Sequence, residues 1–296
     1  HSFPTRRSSD LAPMVPGAGL DSSIHFAAFG MPAVNRVGEV AFVGTLRGGT
    51  GPRKVTPPTD KGIFTTLGTG IVTPTVATVA REGYAARDGF GRELPAVFDS
   101  FIEPVIITNN HVIFSAKLRG TEVDATNDIG IWVWSPASGL RNAFREGDRD
   151  GSTGGVVASI LTFAANSISG SGQSAFLVDP NRLDDLFILG NLVNGGMVTA
   201  SNNLCLWHIG LNTGGDIELS ETILRKGGFI NDPAWPRQRV VSSIAPFVKN
   251  GGGDGTPAQV SQDGSIAIQV TLTDSVSKSI STANIALRAS PFLQVQ

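Results

Sequence analysis

The sequence lacks the features that mark several classes of protein. It has one cysteine, Cys205, among its 296 residues, which excludes an internal disulfide and a zinc site built from cysteines, because each needs more than one thiol. No apolar run reaches the roughly 18 residues of a membrane-spanning helix, so no transmembrane segment is predicted. The net charge is −2 with both signs dispersed, so we expect no nucleic-acid partner.

Helical periodicity is also missing, since no segment shows a convincing amphipathic pattern with a period of 3.6 residues. Glycine is abundant at 36 residues, whereas the chain has one tyrosine. Serine, threonine, asparagine and valine are frequent, and this composition is typical of short strands joined by many turns. A chain of this length buries a large core without disulfide or metal support.

Residues 1–11, HSFPTRRSSDL, back-translate into a common sequencing-library adapter. We therefore interpret them as an assembly artefact and exclude them from the fold, which leaves residues 12–296 as a single repeat domain. A natural basic, serine-rich leader is the alternative. Under the adapter interpretation, the absence of a signal peptide says nothing about export.

An eight-residue motif recurs four times, as NRVGEVAF, ITNNHVIF, SGSGQSAF and SQDGSIAI. In each copy a glycine or asparagine, residues that tolerate a positive φ, stands four positions before a bulky apolar residue. The four pairs are Gly38 and Phe42, Asn110 and Phe114, Gly172 and Phe176, and Gly264 and Ile268. In three copies an asparagine or serine precedes the glycine by three positions, as in a type I turn, so the motif predicts a β-hairpin.

Two further segments follow the hairpins in a constant order. The first ends in an aromatic residue, as in DKGIF, DIGIW and NLCLW, and the second is AREG, FREG or LRKG. In the fourth copy, NIAL, ending at Leu287, takes the place of the aromatic segment. These patterns predict four units of about four strands each, at about residues 21–92, 93–156, 157–236 and 237–296.

The predicted strands are apolar on both faces. In EVAFVGTL, Val40 and Phe42 point to one side of the strand, and Ala41 and Val43 point to the other. An antiparallel sheet with one wet face would alternate, so these sheets need apolar cover on both sides. Stacked sheets supply that cover, and we predict an all-β fold, a β-propeller-like array of about four antiparallel four-stranded blades, closed or open. A β-solenoid and a β-sandwich are the alternatives.

The motif residues Asn35, Gly38, Ala41 and Phe42 resemble those of a bacterial family, the choice-of-anchor tandem repeat NxxGxxAF-containing proteins. The GIW segments and REGD at residues 145–148 are also similar to that family, and the resemblance covers nearly the whole chain. It implies an exported bacterial surface protein with propeller-like repeats and no established activity. We therefore expect an extracellular or cell-surface location, with an unknown surface or extracellular ligand as the partner.

The histidines and the cysteine are better explained by structure than by chemistry. His25, His111 and His208 have no metal-ligand spacing such as HExxH. Cys205 stands in an apolar strand at a place where two other units have glycine, which favours a small buried side chain.

Two recurring residue types have a structural and a functional interpretation. Arg81, Arg145 and Arg225 occupy one position of the repeat, which favours a structural task such as a salt bridge at the end of a strand. Trp132 and Trp134 lie two positions apart, on one face of a predicted strand. We interpret them as core residues, with a sugar-stacking platform as the alternative.

The acidic loop REGDRDGSTGG carries oxygen ligands at alternate positions, Asp148, Asp150 and Ser152, with Glu146 nearby. Such spacing wraps Ca²⁺ in some proteins, although the full EF-hand pattern is absent and Asp-Gly pairs are ordinary turn formers. We therefore assign no cofactor and keep Ca²⁺ as an alternative for this loop.

These observations predict a noncatalytic exported repeat protein, a surface scaffold or binding module, with no catalytic, cofactor-binding or metal residue assigned. The alternative is a carbohydrate-active propeller enzyme, a glycoside hydrolase or lyase, which would need paired carboxylates near a central channel. Asp124, Asp184 and Asp185 are candidate acids, but nothing in the sequence pairs them. A calcium-dependent adhesion domain is a third hypothesis.

Overall fold

The computed structural model describes eleven stretches of the chain: residues 24–35, 37–49, 55–56, 59–68, 76–107, 111–151, 153–165, 184–212, 214–230, 237–245 and 265–288. Within these stretches every regular element is a β-strand. None of the described residues forms a helix of the length and apolarity needed to cross a bilayer.

The strands form four sheets, taken in chain order. The first contains β1 (Ile24–Phe29), β2 (Ala33–Val34), β3 (Val40–Gly48), β4 (Lys61–Thr65) and β5 (Ala77–Arg81), in the order β1-β3-β4-β5 with β2 paired on β3. The second contains β6 (Ala85–Arg87), β7 (Glu93–Ile107), β8 (Val112–Arg119), β9 (Ile129–Ser135) and β10 (Gly139–Arg145), in that order across the sheet.

The third and fourth sheets have four strands each. The third contains β11 (Val157–Ala165), β12 (Asp184–Leu192), β13 (Leu204–Leu211) and β14 (Ile217–Arg225). The fourth contains β15 (Phe229–Ile230), β16 (Arg239–Ile244), β17 (Ser265–Asp274) and β18 (Ile280–Arg288). Neighbouring strands pair antiparallel, so the prediction of an all-β chain built from about four antiparallel sheets is confirmed.

The chain divides into two compact units. Unit 1 is drawn from His1–Val123 and Ile131–Ala143, and unit 2 from Asp124–Gly130 and Phe144–Gln296. Unit 1 holds the first sheet and most of the second, while unit 2 holds the third and fourth sheets.

In unit 1 the first sheet is apolar on both faces, as its sequence predicts. Val43 and Ile63 pack on one face against Phe98 and Trp132 of the second sheet. The opposite face carries an aromatic cluster that includes Phe42, Phe26 and Phe64, in which the Phe42 and Phe64 rings stack with their centroids 5.9 Å apart. Burial of apolar area on both faces is the main favourable term that holds such a sheet in place.

In unit 2 the third and fourth sheets share one apolar core. Phe187 and Leu206 of the third sheet pack with Ile266, Val270 and Leu272 of the fourth, and all five side chains are fully buried. Consecutive sheets are therefore stacked within each unit, as blades are.

The first copy of the recurring motif forms the predicted turn. The Gly38 N–H donates to the Asn35 carbonyl over 3.1 Å, and Gly38 has a φ of 86°, which glycine adopts at little cost. The Asn35 side-chain oxygen accepts from the Glu39 N–H over 2.9 Å, and its amide donates to the Glu39 carboxylate over 2.7 Å. The other three turn positions, Asn110, Gly172 and Gly264, lie outside the described residues.

The same turn closes two hairpins that the repeat alignment did not include. In residues 88–91 the Gly91 N–H donates to the Asp88 carbonyl over 3.0 Å, and in residues 212–215 the Gly215 N–H donates to the Asn212 carbonyl over 2.9 Å. Both glycines have a positive φ, 79° and 85°. The Asn/Asp-x-x-Gly pattern therefore marks a tight hairpin in general and does not identify one position of the repeat.

The first and third sheets can be compared at equivalent cross-strand positions. Phe42 of β3 lies opposite Phe64 of β4 in the first sheet, and Ile188 of β12 lies opposite Trp207 of β13 in the third. Phe176, the residue that the repeat alignment equates with Phe42, lies outside the described residues.

Candidate functional site

The recurring arginines perform one structural task in three sheets. Each Nε donates to the main-chain carbonyl of the residue that ends the turn before the penultimate strand of its sheet, β4, β9 or β13. The pairs are Arg81 to Thr59 over 3.0 Å, Arg145 to Asn127 over 2.8 Å and Arg225 to Asn202 over 2.6 Å. The structural interpretation is confirmed, but the acceptor is a backbone carbonyl and not the carboxylate of the expected salt bridge.

The glycine two positions after each arginine carries the chain into the next sheet. Its N–H donates to a main-chain carbonyl in a strand of the next sheet, β7, β11 or β16. The pairs are Gly83 to Phe98 over 2.8 Å, Gly147 to Val157 over 2.9 Å and Gly227 to Val241 over 2.8 Å. The φ values are 80°, 85° and 80°. We call residues 81–84, 145–148 and 225–228 the corners, because each one joins consecutive sheets through the backbone.

His208 contacts two carboxyl side chains in unit 2. Its Nε2 is 2.9 Å from the Asp185 carboxylate and its Nδ1 is 3.2 Å from the Glu221 carboxylate, while the ring stacks on Phe187 at 5.1 Å. Asp185, a candidate acid, and His208 are 4% and 2% exposed, so neither side chain is accessible to a substrate, and the Glu221 side chain is 36% exposed.

The other histidines occupy ordinary positions. His25 is half-buried in β1, where it pairs across the sheet with Arg47, and His111 is buried immediately before β8. No group of three histidine, cysteine, aspartate or glutamate side chains among the described residues is arranged to hold a metal ion.

Cys205 is the small buried side chain that the sequence predicts. It is fully buried opposite Gly190, in the same register as the Gly44 and Gly62 pair of the first sheet. Burial raises the pKa of the Cys205 thiol to about 12, with Arg225 opposing the shift and Asp150 adding to it. The thiol is therefore no nucleophile at neutral pH.

Two acidic side chains of the loop kept as a calcium alternative are engaged within the protein. The Asp150 carboxylate accepts hydrogen bonds from Thr153 and Thr222, and the Glu146 carboxylate accepts from the Ile160 N–H over 3.0 Å. The Asp148 side chain is exposed, and partial desolvation raises its pKa against the opposing charge of Arg145. Ser152 lies outside the described residues.

Asp124, another candidate acid, holds a turn. Its carboxylate accepts from the hydroxyl and the N–H of Thr126 over 2.6 and 2.8 Å, and these bonds lower the pKa of Asp124. Asp184 pairs through its backbone with Leu211.

Unit 1 contains a cavity of about 310 Å³ between β5 of the first sheet and β6, β7, β9 and β10 of the second. Buried Phe98, Val79 and Ala80 contribute apolar lining, and Trp134, Tyr84 and Arg87 also line it. This size is at the low end of the usual range for ligand sites. None of the residues that line the cavity is an aspartate or glutamate.

The two tryptophans of β9 lie on one face of the strand but differ in burial. Trp132 is fully buried, and its indole N–H donates to the Arg87 carbonyl over 3.2 Å. Trp134 is half-buried, packs against the same core and borders the cavity. The core interpretation is therefore confirmed for Trp132, and Trp134 lies at the edge of that core.

Tyr84 is the last residue of the first corner, and Arg87 is the last residue of β6, which follows it. Tyr84 is 40% exposed, and the Arg81 guanidinium lies 5.6 Å from its ring centroid. The Arg87 guanidinium donates to the Gly91 carbonyl over 3.1 Å and to the Glu93 carboxylate over 2.8 Å. Sequence reasoning missed both residues, because only the pairing of β6 with β7 brings them to the second sheet.

Comparisons with known proteins identify a family profile and a remote structural similarity. No curated protein matches the sequence. A solved structure of a family GH43 β-1,3-galactosidase with galactodeoxynojirimycin has a TM-score of 0.29 and 11% identity, covering 86% of this chain and 88% of that chain. The resemblance to NxxGxxAF-containing proteins stays a prediction. A family profile described as a family of unknown function, DUF7453, matches residues 3–280, and the chain belongs to that family.

Proposed function

We propose that the chain is a noncatalytic binding module of an exported bacterial surface protein, and that its ligand site is the unit 1 cavity. The observation that carries this proposal is the lining, in which aromatic side chains and one arginine meet without any carboxylate. Such a lining provides contact area and hydrogen-bond donors, and lacks the acid and base of a hydrolase.

The placement of the candidate acids supports a binding function over a carbohydrate-active enzyme. Glycoside hydrolases use two carboxyl groups that flank one bond of the substrate. Asp124 instead holds an exposed turn, and Asp185 is buried against His208. Neither residue lines the cavity.

The test is to incubate the full chain with chromogenic glycosides and with plant and bacterial polysaccharides, and to measure both product release and retention on the immobilised polysaccharides. We expect retention on at least one polysaccharide without product release. Turnover that disappears on Asp185→Asn substitution would contradict the proposal. Surface display is tested separately, by the access of protease to the protein on intact cells of the source bacterium.

A further inference from the structure

We infer that the unit 1 cavity recognises an acidic saccharide, a uronic acid unit, through the ring of Trp134 and the guanidinium of Arg87. This inference rests on the proposed binding function and specifies its ligand class. The two side chains come from different strands of the second sheet, β9 and β6, and line one cavity.

Every polar side chain of the lining can donate a hydrogen bond. The arginine and the indole donate only, whereas the Ser138 hydroxyl and the Tyr84 phenol both donate and accept. Among the described residues, the indole N–H of Trp134 and the hydroxyl of Ser138 make no hydrogen bond, although both residues line the cavity. A ligand that satisfies this lining must bring oxygen acceptors.

The apolar part of the lining requires a ligand with a flat apolar face. Trp134 and Tyr84 are amphipathic rings, which present a large apolar surface together with a polar group. Leu140 and Phe98 extend the apolar surface inside the cavity. A pyranose has apolar C–H faces and oxygen atoms around its edge, so it matches rings and donors at once.

Arg87 selects for an acidic sugar. Within the described part of the chain its guanidinium donates to Gly91 and Glu93 only, which leaves N–H groups of the planar fork for a ligand carboxylate. The Arg87–Glu93 pair is exposed, with side-chain accessibilities of 39% and 63%, and exposed pairs are weak. A ligand carboxylate therefore shares the guanidinium without displacing a strong internal partner.

The experiment is isothermal titration of the full chain with D-galacturonate and D-glucuronate, with D-galactose, D-glucose and acetate as comparison ligands. We expect a uronate to bind at least about tenfold more tightly than its neutral counterpart, the effect of one charged hydrogen-bonding group. Acetate should not bind measurably, because it lacks the ring.

Three variants locate the site. Arg87→Gln should weaken uronate binding about tenfold or more and leave galactose unchanged. Trp134→Ala should weaken both sugars, and Trp134→Phe, which keeps a ring and the fold, should recover most of the affinity. Arg92→Gln is the matched control, since Arg92 pairs with Asp88 in the neighbouring turn and does not line the cavity; its affinity should stay within about twofold of wild type.

Equal binding of uronates and neutral sugars, with Trp134 required, would overturn the acidic class and leave the proposed binding function standing. The absence of binding by any of the sugars would overturn the inference. The proposed binding function would then be judged by its own experiment, retention of the chain on immobilised polysaccharides. Uronate binding that is unaffected by Arg87→Gln and Trp134→Ala in folded protein would place the site elsewhere and overturn the inference as well.

Discussion

Units 1 and 2 both stack two antiparallel sheets, but they fill the space between the sheets differently. In unit 1, half-buried Trp134 and exposed Tyr84 border a cavity. In unit 2, mostly aliphatic side chains form the shared core, and Asp185 and His208 are buried against each other, with Glu221 36% exposed beside them. Unit 1 therefore leaves a cavity beside its core, whereas the core of unit 2 is filled by side chains.

The largest expected effect comes from breaking the buried pair of Asp185 and His208 in unit 2. His208→Leu should lower the free energy of unfolding by about 3–5 kcal/mol, because it removes the imidazole that contacts the buried Asp185 carboxylate. Urea denaturation followed by tryptophan fluorescence measures the loss. The double variant Asp185→Leu, His208→Leu should lose less than the sum of the two single variants, since the two residues are coupled. Additive losses would show that they do not act together.

The corners provide the next test, because they occur in both units. Arg225→Met in unit 2 and Arg81→Met in unit 1 should each cost about 1.5–3 kcal/mol, the usual value of a hydrogen bond from a charged group. The same denaturation assay compares them, with Arg92→Met as the exposed control. If one substitution were costly and the other neutral, the two corners would not be equivalent.

The corner glycines should show a smaller loss. Gly147→Ala should cost about 1–2 kcal/mol, because alanine is strained at a φ of 85° and its Cβ would lie 3.0 Å from the Asn127 Cβ. Gly151→Ala in the same loop is the matched control, since its Cβ would meet open space, and it should change stability by less than about 0.5 kcal/mol. Equal effects of the two substitutions would show that the corner geometry does not account for the loss of stability.

The smallest expected effect concerns Cys205. With a pKa of about 12, the thiol should be unreactive toward a disulfide reagent in the native protein at pH 8 and should react fully in urea. The folded pKa is raised above the unfolded value of about 8.5. The contribution of the Cys205 thiol to the free energy of unfolding is therefore fully present below about pH 8.5 and is lost as the pH rises toward 12. Rapid labelling of the native protein would contradict the buried position.

The sheets and the corners could be predicted from the sequence, whereas the cavity could not. Strands such as β3 show burial on both faces in their local pattern, and the R-x-G corner recurs in the chain because its backbone geometry recurs. The cavity depends on Tyr84 and Arg87 meeting Trp134 across the second sheet, a contact that no local pattern encodes. The extra turns at Gly91 and Gly215 show a related point, since turn chemistry identifies a bend without identifying its place in the sheet.

Crystallography of the full chain with D-galacturonate tests most directly whether the ligand binds in the unit 1 cavity. We expect one sugar in the cavity, with its ring against Trp134 and its carboxylate at the Arg87 guanidinium. A sugar bound outside unit 1, or held between two carboxylates, would contradict that assignment.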